Sequence, residues 1–407
     1  MRAMTERTTC LVAGGGPAGM ILGLLLARAG VEVTVLEKHA DFLRDFRGDT
    51  VHPSTLRLLD ELGLGEKFRK LPQSRMDTVS LPGPPVLTIA DFRKLKIAHP
   101  YVAMVPQWDL LDMLADAGQA EPHFHLRMNT EVTGLIQESG RVTGVRYRTA
   151  EGGTGEIHAE LTIGCDGRWS SVRRAAGLEP REFPVPIDAW WFRLPREGNE
   201  NATLVPEMRD GHFAVVIPRE DYFQIAYLAG KGLDARLRAE GVEAFRDRLR
   251  TVLPQLAGRV TAIESMDEVK HLDVRLNLLR RWHHDGVLCI GDAAHAMSPI
   301  AGVGINLAVQ DAVAAARLLA TPLRRGRVTS RDLARIHRRR LAPTLLVQGI
   351  QRMMHRVVIR PVIEGRRNGP PKPLVRLMNT IPAACRVPAY LIGVGLLPEH
   401  APPWARR

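Results

Sequence analysis

Three glycines, Gly14, Gly16 and Gly19, stand as G-x-G-x-x-G between two apolar runs, Cys10–Ala13 and Met20–Ala29. A glycine at the first position allows a sharp strand-to-helix turn. One at the second lets backbone approach a pyrophosphate, and one at the third lets the helix pack close to the strand. Met20–Ala29 is long enough for a helix, whose free N–H groups form a positive end suited to phosphate oxygens, and Pro17 and Ala18 are candidate cofactor contacts on its approach. The next apolar run, Val31–Leu36, ends in Glu37 and Lys38. Glu37 lies eighteen residues beyond Gly19, where a carboxylate can accept hydrogen bonds from ribose hydroxyls.

Two further strand ends carry the same residue types. Leu161–Ile163 runs into Gly164, Asp166 and Gly167, and Val287–Ile290 runs into Gly291 and Asp292. In open α/β sheets ligands bind at the carboxyl ends of strands, so three such ends point to one extended ligand. Taken singly, Asp166-Gly167 reads equally as a turn and Asp292 as a cap. Pro299–Asn306 (PIAGVGIN) adds a second glycine-rich helix entrance. Gly302 and Gly304 allow backbone to approach a flat ring, and the helix beginning near Ile305 aims its positive end there. Such an end stabilises a ring that turns anionic on reduction by roughly 0.3–1 kcal/mol. An isoalloxazine is such a ring.

The intervening chain supplies the scaffold. Pro53–Leu64 and Gln107–Ala117 have leucines at helical spacing, and Thr130–Ile163 reads as a three-stranded β-meander. Residues 182–270 hold strands and few helices, a second sheet. Trp190, Trp191 and Phe192 alternate on one of its strands, so one face can line an aromatic pocket while the other packs in a core. From Arg331 the chain is helical and basic with proline breaks, and no internal repeat is visible.

Hydrophobic residues at 45% and charged residues at 25% fit a globular protein with a large core. The N-terminus reaches the triple glycine before a signal-peptide core can form, and no apolar run reaches the roughly 18–20 residues that span a bilayer. The four cysteines, Cys10, Cys165, Cys289 and Cys385, lack metal-ligand spacing. They read as reduced core residues of a cytoplasmic protein, and no metal site is expected. His283-His284 reads as a solvated loop. Residues 321–407 carry 18 Lys/Arg and 3 Asp/Glu, a balance of +15 against +12 for the whole chain, which leaves −3 on residues 1–320. A basic tail can meet nucleic acid, an anionic membrane or an acidic ligand. Aromatic interleaving for base stacking is sparse, so nucleic acid is not expected. Leu345–Ile363 could dock peripherally on a membrane, but packing over the pocket is the preferred expectation.

In these motifs the chain resembles the class A flavoprotein monooxygenases, the para-hydroxybenzoate hydroxylase-like aromatic hydroxylases. The resemblance covers about residues 8–320 and rests on Gly14/Gly16/Gly19, Glu37, Asp166-Gly167, Gly291-Asp292 and Pro299/Gly302/Gly304/Asn306. It implies an α/β fold: a Rossmann-like FAD-binding domain of three-layer ββα architecture from residues 1–75, 101–180 and 271–330. A mainly β substrate domain would comprise residues 76–100 and 181–270, followed by a helical basic segment, 331–407. It implies bound FAD, with Glu37 on the ribose, Arg47 and Asp292 toward the pyrophosphate or ribityl chain, and Gln107 where many members have arginine. Asp166 would lie between FAD and the NADH or NADPH approach, and Pro299 would lie beside the flavin. Asp49 and His52 follow Arg47 on a loop expected near the ring. Either could bond substrate or relay a proton, although the plainer readings are a turn residue and a packing residue. His295 is expected to pack. His52, Trp191 and Pro299 are the candidate pocket residues, and Asp49 is the candidate catalytic side chain.

The implied reaction is reduction of the flavin by NAD(P)H and capture of O2 as a C4a-hydroperoxide. One oxygen then passes to an aromatic or unsaturated hydrophobic small molecule. A single G-x-G-x-x-G agrees, since this class has no second Rossmann domain. A flavin halogenase or prenyl reductase shares the fold, but the halogenase W-x-W-x-I-P motif is missing. A non-catalytic escort protein would tend to lose the flavin motifs, which are intact. The sequence leaves monomer and homodimer open.

Overall fold

The computed structural model describes residues 6–43, 50–81, 87–197, 207–209, 211–219, 221–367, 370, 371, 373, 375, 376, 381 and 384–407. Strand β1 (Glu6–Ala13) leads through the glycines into α1 (Pro17–Arg28), and β2 (Val33–Leu36) follows. Then come α2 (Pro53–Glu61), α3 (Gln107–Gln119) and β3 (Phe124–Arg127). The meander is β4 (Thr130–Glu138), β5 (Arg141–Thr149) and β6 (Thr154–Gly164), followed by the short α4 (Ser171–Ala175). The second sheet uses β7 (Ile187–Pro195), β8 (His212–Pro218) and β9 (Tyr222–Gly230), with α5 (Asp234–Val252) after it. Strand β10 (Val287–Cys289) returns to the first sheet and precedes α6 (Gly304–Arg324) and α7 (Ser330–Met354).

Strands β3, β2, β1, β6 and β10 form a parallel row in that spatial order. Strand β6 is long enough to serve two neighbours on one edge, β5 near its start and β10 near its end. This is how the meander branches from the parallel sheet. Helix α1 is buried from Ala18 to Ala27, as expected of a helix apolar on all sides. It packs against α3 and α6. Among the described residues Ile300–Arg324 is long and apolar enough to cross a membrane, which corrects the expectation that no stretch reaches that length. However, 78% of its apolar window is buried inside the fold.

The second sheet is antiparallel. Strands β8, β9 and β7 are flanked by Glu207–Arg209 and by Lys270–Leu272. The sheet therefore extends to Leu272, so the expected division at residue 270 falls inside a strand. Period-two alternation gives the sheet two uses. One face puts Trp190 and Phe192 against Phe245 and Leu249 of α5, with the Phe192 and Phe245 rings edge to face at 5.5 Å. The other carries Trp191, Val215 and Ala226 toward the first domain. His283 is buried in a two-residue strand beside β10, not in a solvated loop.

Helix α7 carries a capping box, Thr329 with Asp332, and runs on into a π-helical turn, His355–Ile359. The chain end folds back beneath the first domain, where Arg28 donates to the Ala405 carbonyl at 2.9 Å.

Candidate active site

The strand register builds the site. Leu36, Ala13, Gly164 and Cys289 are direct neighbours across β2, β1, β6 and β10. Each is the last paired residue of its strand. Glu37, Gly14, Cys165-Asp166 and Ile290-Gly291 therefore emerge side by side at one sheet edge. Backbone bonds continue the row: Gly14 N–H to the Leu36 carbonyl at 2.8 Å, Cys165 N–H to Ala13 at 2.7 Å and Ile290 N–H to Gly164 at 3.0 Å.

The three glycines have distinct reasons. Gly14 has φ +105°, and a Cβ there would lie 2.5 Å from the Cys165 carbonyl oxygen. A Cβ on Gly19 would lie 1.9 Å from the Gly14 oxygen, so the helix start and strand end touch through backbone. At Gly16 a Cβ would meet nothing within 4 Å. This is open space before the uncapped start of α1, where Pro17 is the first helical residue. An open cradle at a helix N-terminus fits a pyrophosphate, so the residues present fit a bound dinucleotide.

Glu37 is buried and organises the same loop. Its carboxylate accepts the Gly15 N–H at 2.9 Å and the His39 N–H at 3.1 Å, while the residue still lines the cavity. Asp166 accepts the Ser170 hydroxyl at 2.5 Å and the Val172 N–H at 3.1 Å, fixing the start of α4. Burial raises its pKa, against the lowering pull of those hydrogen bonds. Asp292 pairs with Arg168 at 3.1 Å, a partner the motif reading missed. Beneath it, the Gly291 N–H donates to Asp311 of α6 at 3.1 Å. Asp311 also meets His295 at 2.5 Å and Arg340 of α7 at 2.9 Å. Burial pushes the Asp311 pKa up, but His295 and Arg340 outweigh it and hold the carboxyl below its ordinary range. His295 thus packs under the loop, 4.8 Å from the Trp282 ring.

A continuous cavity of about 1470 Å³ runs from this row to the second sheet. That exceeds the roughly 300–1,000 Å³ of a usual ligand pocket and leaves room for a cofactor and a second molecule. Gly14, Gly16, Pro17, Ala18, Glu37, Lys38, Gln107, Asp166, Gly291 and Asp292 line one end. Pro299, Gly302, Gly304 and Ile305 line the middle, and Trp191 stands on the sheet wall. Met353, Met354 and Val357, from the end of α7 and the π turn, form a third wall that motif reading did not assign.

Three expected contact residues stand outside the lining. Gly19 is taken up in helix–strand packing. Asn306 accepts from Ser54 at 2.7 Å and Thr55 at 2.8 Å, which ties α6 to α2. His52 is fully buried and bonds the Gly302 carbonyl through Nε2 at 3.0 Å, beside the Thr50 hydroxyl at 2.7 Å. Burial lowers its pKa to about 4 against the raising effect of the carbonyl bond, so it stays neutral and supports the turn from behind. Its loop reaches the cavity through Thr50 instead. Arg47 and Asp49 lie outside the described residues.

Residues 7–348 match the family described as FAD binding domain. The chain belongs to this family, that of the class A FAD-dependent monooxygenases. It is 33% identical over 389 residues to 6-methylpretetramide 4-monooxygenase of Streptomyces rimosus, covering 94% of this chain and 90% of that protein. It is 30% identical over 319 residues to 12-dehydrotetracycline 5-monooxygenase/anhydrotetracycline 6-monooxygenase of Streptomyces rimosus subsp. rimosus, covering 75% of this chain but 61% of that longer relative. The solved structure of OxyS anhydrotetracycline hydroxylase from Streptomyces rimosus superposes with a TM-score of 0.78 at 25% identity, over 95% of this chain and 76% of that one.

Proposed function

We propose that this FAD-dependent monooxygenase uses NADH or NADPH and O2 to insert one oxygen atom into an extended aromatic molecule, of the kind named for its relatives, 6-methylpretetramide and anhydrotetracycline. The observation that carries this reading is the cavity's continuity. One space joins the strand-end row to an apolar wall of Trp191, Val215, Ile217 and Ala226. Bound FAD supplies the electron transfer and oxygen activation. The chain's own residues bind and orient. Gly16 and the start of α1 receive the pyrophosphate, Glu37 and Gln107 flank the nucleotide end, and Gly302 and Gly304 offer backbone to the ring. The N-terminus of α6 favours negative charge on that ring by roughly 0.3–1 kcal/mol. The apolar walls exclude water from the transfer.

The test is substrate-stimulated NAD(P)H oxidation by purified protein across a panel of polycyclic phenols, with mass spectrometry of the products. A product heavier by one oxygen is expected. A colourless protein that cannot be reconstituted with FAD, or reconstituted enzyme that yields no oxygenated product across the panel, would overturn the reading.

A further inference from the structure

The second half of helix α7 is inverted. Leu333 and Ile336 of its first half are buried in the main core and Pro343 is buried too, but the stripe that runs from Arg340 into the π turn is polar: Arg340, Thr344, Gln348, Gln351 and His355. Their spacings of four, four, three and four place them on one face. On the outside, Leu345 is 49% and Met353 58% exposed, the reverse of an ordinary amphipathic helix.

The end of the polar stripe is aimed at the turn before α6, while Arg340 meets Asp311 and Gln348 donates to the Asn277 and Ala296 carbonyls. The Gln351 side-chain carbonyl accepts the Ser298 N–H at 3.2 Å, and its amide donates to the Ser298 carbonyl at 2.9 Å and the Ile300 carbonyl at 3.1 Å. One N–H and two carbonyls fix which end of the amide points where, and its bonding capacity is well used. His355 meets the Ser298 hydroxyl at 2.9 Å through Nε2. π-Helical turns concentrate at functional sites, and this one begins at His355.

The turn needs holding. Ala301 sits at φ +66°, ψ 4°, a left-handed conformation that a residue with a Cβ seldom adopts. Such conformations persist where their surroundings over-determine them. Thr50 and His52 grip the Gly302 carbonyl from the first domain, and Gln351 grips Ser298 and Ile300 from the C-terminal helix. The turn is thus clamped on both sides of Ala301.

We propose that Gln351, backed by His355, is a positioning residue: it holds the Ser298–Gly302 turn in its left-handed form and so sets how the turn's backbone meets the flavin ring. This rests on the reading that the ring lies beside Pro299. The C-terminal helix thereby couples the pocket wall carrying Met353 to the cofactor, since one helix supplies both.

The experiment compares holoenzymes. Gln351→Leu leaves the buried Ser298 N–H and carbonyl and the half-buried Ile300 carbonyl without their Gln351 partner. It should weaken FAD affinity about tenfold, shift the visible flavin spectrum and raise the share of NAD(P)H oxidation that ends as hydrogen peroxide. Adding Ala301→Gly should restore affinity and spectrum toward wild type, because glycine keeps a left-handed φ without penalty. Relief of strain at Ala301 also raises general stability, so the urea midpoint is read beside FAD affinity, and a loss and recovery of affinity that only follow the midpoint, with the spectrum unchanged, mark a structural defect and overturn the proposal. If Gln351→Leu does not fold, Gln351→Glu keeps the acceptor for Ser298 and loses both donors. An unchanged spectrum and FAD affinity in the folded variant, or a defect that Ala301→Gly does not relieve, overturns the proposal. Pro299→Gly separates the two readings. If it shifts the spectrum while Gln351→Leu does not, the ring placement stands and the positioning role falls. If neither does, the ring placement itself fails.

Discussion

The two ends of the cavity are built from different material. The strand-end side is built mainly on backbone: at Gly14 and Gly19 a side chain would strike a main-chain oxygen at 2.5 and 1.9 Å, and at Gly16 the backbone opens onto free space. The substrate end is side chains, drawn from the second sheet, the C-terminal helix and the turn between them. Backbone geometry leaves little to vary without losing the cofactor. A wall of Trp, Met, Val and Ile can be repacked one residue at a time. The comparison assigns tolerance as well as function. Substitution at the cofactor end should abolish the holoprotein, and substitution at the far end should redirect it.

The largest effect is expected at Gly19. Gly19→Ala places a Cβ 1.9 Å from the Gly14 oxygen, and overpacking of this kind costs about 1–3 kcal/mol or more. Because both touching groups are main chain, relief requires moving α1 away from β1 and with it the pyrophosphate cradle. FAD per protein after purification should fall close to zero. A variant that retains full FAD content would show that the row is not held by backbone contact.

Trp190 and Trp191 sharpen the contrast within two residues. Trp190 is fully buried, and its indole N–H donates to Asp234 at 2.8 Å. Trp190→Ala should cost about 3–5 kcal/mol, read as a fall in denaturation midpoint. Trp191 lines the cavity, and Trp191→Ala should change KM for substrate several-fold more than it changes stability. Equal losses of stability in both would remove the distinction between the faces of β7.

This pair also shows what was legible in the sequence. Alternation on a strand is a local rule, so the split between Trp190 and Trp191 could be read before any coordinates. The strand-end row was legible for the same reason: each motif follows its own apolar run. Asn306 was not, because which side of a loop faces the cavity depends on partners far away in sequence, here Ser54 and Thr55, whereas for His52 packing was already the plainer of two readings. The inner face of α7 was hidden differently. Arg340, Gln348, Gln351 and His355 look like a solvated stripe unless one knows what lies opposite: the Asp311 carboxylate for Arg340, the Asn277 and Ala296 carbonyls for Gln348, and the Ser298–Ile300 turn for Gln351 and His355. The Ile300–Arg324 stretch shows the converse, since an apolar run long enough for a bilayer is also what the centre of a large core needs.

His52 gives a pH-dependent break of the same comparison. Its folded-state pKa of about 4 lies below the ordinary 6.5 because burial disfavours the imidazolium. The folded protein therefore does not take up a proton that the unfolded chain binds between pH 6.5 and 4. The stability held by this site is complete above pH 6.5 and falls as pH drops toward 4, by on the order of 3 kcal/mol in all. His52→Gln keeps a donor for the Gly302 carbonyl and does not titrate. Its stability should fall less steeply over that interval, by up to about 1.4 kcal/mol per pH unit, in urea denaturation at stepped pH. Parallel curves for wild type and variant would mean that His52 is solvated in the folded state. His283 and His355, also lowered to about 4, contribute to the slope that remains, together with His337 and the carboxylates of Asp188 and Asp311 held below their ordinary range.

The smallest effect on stability, and the most specific on function, belongs to Met353. It lines the cavity yet is 58% exposed, so Met353→Ala removes little buried area and should move stability by no more than about 0.5 kcal/mol. Methionine is flexible and polarizable, and it adapts to irregular apolar ligands. Truncation should therefore change the rank order of polycyclic substrates in the NAD(P)H oxidation assay while FAD content and denaturation midpoint stay at wild-type values. Gln351 lies two residues away on the same helix and faces inward, so the pair separates the helix's two roles. Gln351 variants should alter the flavin spectrum for every substrate, whereas Met353 variants should alter selectivity with the spectrum unchanged. A Met353→Ala enzyme with unaltered substrate ranking would remove the C-terminal helix from the substrate wall and leave it only its hold on the turn.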